Sequence, residues 1–282
     1  MKTGIVDVGG GERGVYGAGV FDRLLDLGVT FDYLIGVSAG AANGVTYLAG
    51  QQGRNLRFYT QYSFRSRYMG IGAFLHTGCF IDLEYIYGAT LTNSGGEDPL
   101  DYEALMCTHT QMEIVATDAK TAEPVYYDFR DMPKDDYGPI KGSSCLPILA
   151  KAYRWRGRDL YDGGISDPIP FQRAFAKGCD RVVVILTRPR DDVRDPKRDR
   201  TFGRLLKLTH PRAGEALLRR AETYNRQLQE AKELERRGKV LIVAPDDIGS
   251  MKTLTKDREE IMRLYEKGWK DAEAIPTYLR GC

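Results

Sequence analysis

The chain has 282 residues, 42% hydrophobic and 28% charged, enough to bury a sizeable core in one large domain or two small ones. That balance excludes a disordered tail, a collagen-like fibre and a membrane bundle. Lys+Arg 41 against Asp+Glu 39 leaves a formal net charge of +2, too even for a dedicated nucleic-acid binder.

The chain contains no internal repeat and no low-complexity linker. Thr3–Val8 is an apolar run opening into Gly9-Gly10-Gly11, which predicts a buried strand and a turn. From Val15 to Leu27 the apolar residues recur at helical spacing, Asp22, Arg23 and Asp26 take the other face, and Gly28 follows as a stop. Tyr33–Val37 predicts a second buried strand and Ala39 to about Ala49 a second helix. The uncharged run from Tyr33 to Gly53 is too rich in glycine and polar residues to be a membrane span. Residues 54–100, rich in Tyr, Phe and Arg, read as helices with loops.

Met112–Thr117 and Pro124–Phe129 predict paired strands joined by the turn Asp118–Ala122. A helix near Ile140–Cys145, a short strand pair across Arg156-Gly157-Arg158 and the tight Asp162-Gly163-Gly164 come next. Arg181–Leu186 and Lys239–Val243 read as two more buried strands. Between them lies a polar helix, Ala213 to Arg237, with i,i+4 pairs expected at Glu215/Arg219, Glu222/Arg226 and Glu233/Arg237. A last helix is expected from about Lys256 to Ala274, capped by Thr255. Alternating strands and helices predict a mainly parallel sheet with helices on both faces, a single domain over 1–282 with a basic helical region from about 188.

Cys79, Cys107, Cys145, Cys179 and Cys282 are odd in number and scattered, with no CxxC pair, so each reads as a small buried residue in a reducing compartment. No signal-peptide pattern follows Met1, and a cytoplasmic location is expected. Neither a metal nor a cofactor is expected.

Two glycine-rich corners carry the chemistry. Gly36-Val37-Ser38-Ala39-Gly40 is a G-x-S-x-G between a predicted strand and a predicted helix, the setting of a nucleophile elbow. Gly36 and Gly40 let neighbouring backbone approach, and the helix N-terminus favours developing negative charge. The competing expectation is a structural turn. Gly9-Gly10-Gly11-Glu12-Arg13-Gly14 presents unobstructed N–H groups beyond the first strand, as acyl transfer needs for an oxyanion. Arg13 either adds positive charge there or anchors the loop. Gly9-x-Gly11-x-x-Gly14 also fits a dinucleotide fingerprint, so a nucleotide-binding α/β protein is the rival reading. The acidic residue that reading wants at the end of the second strand is missing, since Asp32 lies at its beginning.

A serine nucleophile needs a base. Of His76, His109 and His210 only the last comes late enough for a Ser, Asp, His order, and it precedes a polar helix rather than following a strand. The histidines therefore read as surface or packing residues. Asp162 is the better base, because Leu160-Tyr161-Asp162-Gly163-Gly164 sets a carboxylate at a strand end with glycines that permit a close turn. A partly desolvated aspartate can accept the serine proton directly. Taken alone, the motif is equally an ordinary Asp-Gly turn.

In this order, GGGERG (9–14), GVSAG (36–40) and DGG (162–164) resemble the patatin-like phospholipase family, and the likeness covers most of the chain. The passage Arg13–Val20, the strands around Val115–Asp118 and Pro124–Tyr126, the segment Ser143–Pro147 and Pro168-Ile169-Pro170 fit the same pattern. The resemblance implies a three-layer α/β/α fold and a metal-free lipid acyl hydrolase, some members also performing transacylation. Ser38 would attack the ester carbonyl of a lipid or other acyl ester, and Asp162 would act as base and then acid. The loop of Gly9, Gly10, Gly11, Arg13 and Gly14 would supply the oxyanion hole. A non-catalytic lipid-binding module of this fold is a further alternative. Two positions depart from the family: Val8, where an acidic residue or Gly is common before the triplet, and Asp167, where many members carry Asn.

From Arg188 to Lys239 sixteen Lys and Arg face nine Asp and Glu, a local balance of +7. Such a cluster attracts anionic lipid headgroups, so peripheral contact with an anionic membrane is one expectation and a solvated, internally paired helix the other. The aromatic stretch Phe58, Tyr59, Tyr62, Phe64, Tyr68, Phe74, Phe80, Tyr85 and Tyr87 reads mainly as packing, with an acyl pocket as the functional alternative. Trp155 and Trp269 read as packing.

Overall fold

The computed structural model describes residues 1–281 and, within them, every side chain but that of Arg198. Eight strands form one sheet: β1 (Thr3–Asp7), β2 (Tyr33–Val37), β3 (Gln111–Asp118), β4 (Pro124–Asp128), β5 (Tyr153–Trp155), β6 (Arg158–Asp162), β7 (Arg181–Ile185) and β8 (Val240–Val243). The order β3-β2-β1-β7-β8 is parallel throughout, which fits the unbroken apolar runs read from the sequence. β4 pairs antiparallel with β3, and β5 and β6 form a hairpin whose turn places Arg156 and Gly157 at positive φ.

The helices in the first half are α1 (Val15–Asp26), α2 (Ala39–Leu48), α3 (Arg54–Thr60), α4 (Ile71–Thr77), α5 (Leu83–Tyr87), α6 (Tyr102–Cys107) and α7 (Gly138–Ser143). Those that follow are α8 (Phe171–Ala176), α9 (Lys197–Leu206), α10 (Pro211–Arg236), α11 (Arg258–Asp271) and α12 (Ala274–Arg280). Alternate strand residues point to opposite layers, since successive strand side chains alternate in direction. Ile5, Leu34, Met112 and Val183 pack with α1, α2 and α11 through Phe21, Val45 and Leu264. Val6, Ile35, Val182 and Val184 pack with α8 and α10 through Phe171, Tyr224 and Leu228. The result is the three-layer α/β/α arrangement with a mainly parallel sheet.

One detail of register positions the site. Val115 of β3 sits between Val37 of β2 and Tyr126 of β4, so β2 and β4 occupy opposite edges of β3. Ala116 pairs with both Val125 of β4 and Asp162 of β6. β6 therefore takes up the edge that β2 leaves at Val37, and Asp162 lands beside the residue that follows Val37.

Several expectations need correction. The cap of α11 is Asp257, which accepts from the N–H groups of Glu259 and Glu260, while Thr255 accepts from Lys252 in the preceding loop. On α10 the Glu233–Arg237 pair forms, but Glu215 pairs with Lys207 and Arg226 with Glu230, because tertiary and C-terminal partners are nearer. Helices α8, α9 and α12 lie where the sequence reading names no element; half the residues of α9 are charged, which obscures its period. Cys145 and Cys179 are buried as expected, but Cys79 is half-buried and Cys107 exposed. Cys282 lies outside the described residues. Trp155 is buried, in contact with Tyr127.

Candidate active site

Ser38 is the hinge between β2 and α2. Its backbone stands at φ 56°, ψ −127°, a region L residues seldom occupy, and it precedes the first turn of α2. Its N–H donates to Ser143 Oγ at 2.8 Å, and Ser143 Oγ donates onward to the Val115 carbonyl at 2.5 Å. The flanking glycines serve close approach. A Cβ on Gly36 would stand 2.5 Å from Ala41 Cα, and one on Gly40 only 2.3 Å from the Asp7 carbonyl oxygen. The strained elbow is thus clamped from both sides by backbone.

The glycine loop opposite the elbow holds positive φ at three successive positions, Gly9 (61°), Gly10 (131°) and Gly11 (62°). A Cβ on Gly9 would meet the Val37 carbonyl at 2.2 Å. The five loop residues have different surroundings. The Gly9 N–H donates to Asp7 Oδ1 at 2.9 Å, and the Gly9 carbonyl accepts from the Thr187 hydroxyl. Among the described residues the N–H groups of Gly10 and Gly11 make no internal hydrogen bond, and both glycines line the cavity beside Ser38. Arg13 lines that cavity too and donates to Thr253 Oγ1 at 3.1 Å. Gly14 instead packs against α2, where a Cβ would crowd Tyr59 and Ala39, and its carbonyl accepts from Asn43.

Asp7 is a residue the sequence reading passed over. It is fully buried at the end of β1, accepts from Gly9 and from Asn43 Nδ2 (3.0 Å), and its carboxyl is pushed up to about 6 by burial, against the pull of those two bonds. Its signal was an acid at the tip of an apolar strand. It ties the glycine loop to α2. Val8, the first departure from the family pattern, lines the cavity without a charge.

Asp162, 4% exposed, sits where register predicts. Its side chain accepts from the Gly164 N–H at 2.8 Å and shares the cavity lining with Ser38. Burial raises its pKa, while the neighbouring Ser38, the bond from Gly164 and the charges of Arg220 and Arg194 pull the other way. A Cβ on Gly163 would strike the Val115 carbonyl at 2.2 Å, so the turn must be built on glycine. Asp167, the second departure, accepts from Tyr126 (2.7 Å) and Gln227 (2.6 Å), which joins the turn to β4 and α10. His210 packs edge-on against Tyr161, and His76 and His109 are exposed. Asp32, at the far end of β2, accepts from Thr3, so the carboxyl end of β2, at Val37, lacks the acidic residue of the dinucleotide pattern.

Two cavities meet at Ser38. The larger, about 250 Å³, also borders Asp162, Gly10, Gly11, Leu146 and four arginines, Arg13, Arg188, Arg194 and Arg220. The smaller, about 80 Å³, is walled by Phe58, Tyr59, Tyr68, Met69, Ile86 and Tyr87, and Glu12 lines it as well. Part of the aromatic stretch therefore does line a pocket; Tyr62 and Tyr85 belong to the packing behind it, and Phe74 is exposed. Burial pushes the Glu12 carboxyl up to about 8, and its Oε2 has no partner among the described residues. Arg188, Arg194 and Arg220 escaped the sequence reading, because single arginines in a basic stretch give no signal of where they point. Among the described residues no cluster of His, Cys, Asp and Glu has the makings of a metal site.

The sequence profile of patatin-like phospholipases matches residues 8–175, and that of a domain of unknown function (DUF6363) matches residues 210–279. An uncharacterized protein of Escherichia coli (strain K12), YjjU, is 29% identical over 203 residues, covering 67% of this chain and 52% of that protein. The chain thus spans about half the length of this curated relative. The crystal structure of VipD from Legionella pneumophila aligns over 97% of this chain and 66% of that one, at 15% identity and a TM-score of 0.48. With more than half its length matched by the profile, across both glycine corners and the Asp-Gly-Gly turn, the chain belongs to the patatin-like phospholipase family.

Proposed function

We propose that the protein is a serine acyl-ester hydrolase of the phospholipase A type, working through a Ser38–Asp162 dyad. The observation that carries this reading is a strained serine that shares one cavity with a buried, proton-hungry carboxylate and with two backbone N–H groups unengaged among the described residues. Asp162 takes the hydroxyl proton as Ser38 Oγ attacks the ester carbonyl. The negative charge that develops on the carbonyl oxygen is met by the Gly10 and Gly11 N–H groups, with the α2 N-terminus close by. Collapse expels the alcohol, to which Asp162 returns the proton, and water then releases the acid by the same steps in reverse. The cavity of about 80 Å³ suits a short acyl segment and the larger one the alcohol side of the ester.

The proposal extends to the chain as one catalytic domain, since α10 shares a core with the sheet of the matched region. Among the described residues no helix is long and apolar enough to cross a membrane. We place the enzyme in the cytoplasm, touching an anionic membrane at its periphery. Support comes from the exposed Ile71, Phe74 and Leu75 on α4 and Leu205 and Leu208 at the end of α9, where Lys207 and Arg204 stand among them. Against it, many basic residues of this region are already paired within the protein.

The test is turnover. Ser38→Ala and Asp162→Asn should each lower kcat on a short-chain nitrophenyl ester by at least about 10³-fold while the far-ultraviolet spectrum and Tm hold. The double variant should be no worse than either single, because the two residues act as a unit. Independent, additive losses would sink the dyad.

A further inference from the structure

The larger cavity is more cationic than ester hydrolysis requires. Arg194 and Arg220 share a single carboxylate, that of Asp199, which Arg194 Nε meets at 3.0 Å and Arg220 Nε at 3.2 Å. Against burial, these bonds hold the Asp199 carboxyl below its usual range. Arg188 meets Asp192 at 2.7 Å through one nitrogen, and its buried Nε has no partner among the described residues. Arg13 is the extreme case. It is 6% exposed, has no carboxylate within ion-pair distance among the described residues, and bonds only Thr253 while its Nε is left unsatisfied.

Burying a guanidinium without an anion is strongly unfavourable. Burial and the like charges of Arg188, Arg194 and Arg220 bring the Arg13 pKa down to about 9. Such a cage is stabilised by an anion, and the planar fork of arginine matches phosphate oxygens in pairs. A cationic headgroup would be repelled by the same four arginines, against which the lining sets Asp195, already paired with Lys197. Phe202 and Tyr224 are the aromatic rings on the cavity lining, and Tyr224 already carries the Arg194 guanidinium at 5.9 Å.

Building on the dyad reading, we propose that this cavity is a phosphate subsite, and that the preferred ester carries an uncapped phosphomonoester beside the scissile bond. Three of its four arginines lie beyond residue 175, past the family match, and Arg220 lies within the stretch matched by the domain of unknown function. The C-terminal region then walls the patatin-like pocket and reads the headgroup.

The experiment uses two measurements. Calorimetry on Ser38→Ala, which cannot turn over, compares a short-chain monoacyl glycerol phosphate, the matching phosphocholine, glycerol 3-phosphate and inorganic phosphate, all below aggregation. Kinetics on the unaltered enzyme compares the first two with a neutral nitrophenyl ester. The expected result is tightest binding of the monoacyl glycerol phosphate and a kcat/KM preference over the phosphocholine of at least ~10-fold. Arg188→Gln, changed at a half-exposed side chain and so able to fold, should shrink that preference about tenfold, and Arg188→Lys should restore part of it. Equal handling of both headgroups, or a preference unmoved in Arg188→Gln, overturns the subsite. Inorganic phosphate binding as tightly as the lipid overturns the headgroup assignment in favour of a free anion. Turnover of neutral esters without phosphate preference removes the subsite and keeps the hydrolase; phosphate-selective binding without turnover of any ester does the reverse.

Discussion

The two walls of the cavity over Ser38 are built by different means. The reacting part of the wall from the family-matched region is set by backbone: Gly9, Gly10 and Gly11 line it, Gly36, Gly40 and Gly163 stand behind it, and all six occupy places where a Cβ would collide with neighbouring atoms 2.2–2.7 Å away. The wall from the C-terminal region is side chain: Arg188, Arg194 and Arg220 reach in from a loop, the approach to α9 and the middle of α10, and Asp199 and Asp192 hold them. Backbone walls tolerate almost no substitution and place N–H groups with little freedom. Side-chain walls can be retuned one residue at a time, which suits chemistry on the first and selectivity on the second.

That contrast can be broken at four points. Gly11→Ala should do the most damage after the dyad itself, because its φ is 62° and a Cβ would stand 2.3 Å from the Thr253 carbonyl. A loss of about 10²-fold in kcat/KM is expected, as for an oxyanion donor displaced. Activity close to that of the unaltered enzyme would show that the loop is not part of the reacting centre.

Next, Arg220→Gln probes the junction between the walls. Asp162 must be ionised to accept a proton, its pKa is raised chiefly by burial, and Arg220 pulls it down. Removing that charge raises the pKa further, so the acid limb of the kcat/KM profile should move to higher pH. An unmoved limb would disconnect Arg220 from Asp162.

Glu12→Gln reads stability rather than rate. The folded-state pKa is about 8 against an ordinary 4.5, so between those values the folded protein keeps a proton that the unfolded chain has lost. Stability then falls as pH rises across this window, by on the order of a few kcal/mol. The Gln variant lacks this slope, so its Tm advantage should grow steadily from pH 5 to 8. Parallel curves would show that Glu12 is not held neutral.

The smallest effect is expected on the outer face of α10. Glu233 pairs with Arg236 and Arg237 in full solvent, and Glu233→Gln should leave Tm within measurement scatter. A clear drop would mean that the exposed ion pairs of this helix hold the C-terminal wall in place.

The strands and main helices were legible because hydrophobic period and glycine punctuation are local signals: β2, α1 and the hairpin at Arg156-Gly157 fall where the pattern put them. The glycine corners and the Asp-Gly-Gly turn could be quoted from the chain because a residue without a Cβ is a local demand of backbone geometry. Their meeting was expected only through the family resemblance, since Asp162 comes to the Ser38 side through the edge of β3 that β2 vacates at Val37, a pairing of distant segments that no local pattern records. Asp7 under the loop, Ser143 behind the elbow and Arg188, Arg194 and Arg220 over the cavity were decided by tertiary structure alone. A charged side chain acquires its role from the groups that surround it after folding, and neither its own identity nor its spacing along the chain records which groups those will be.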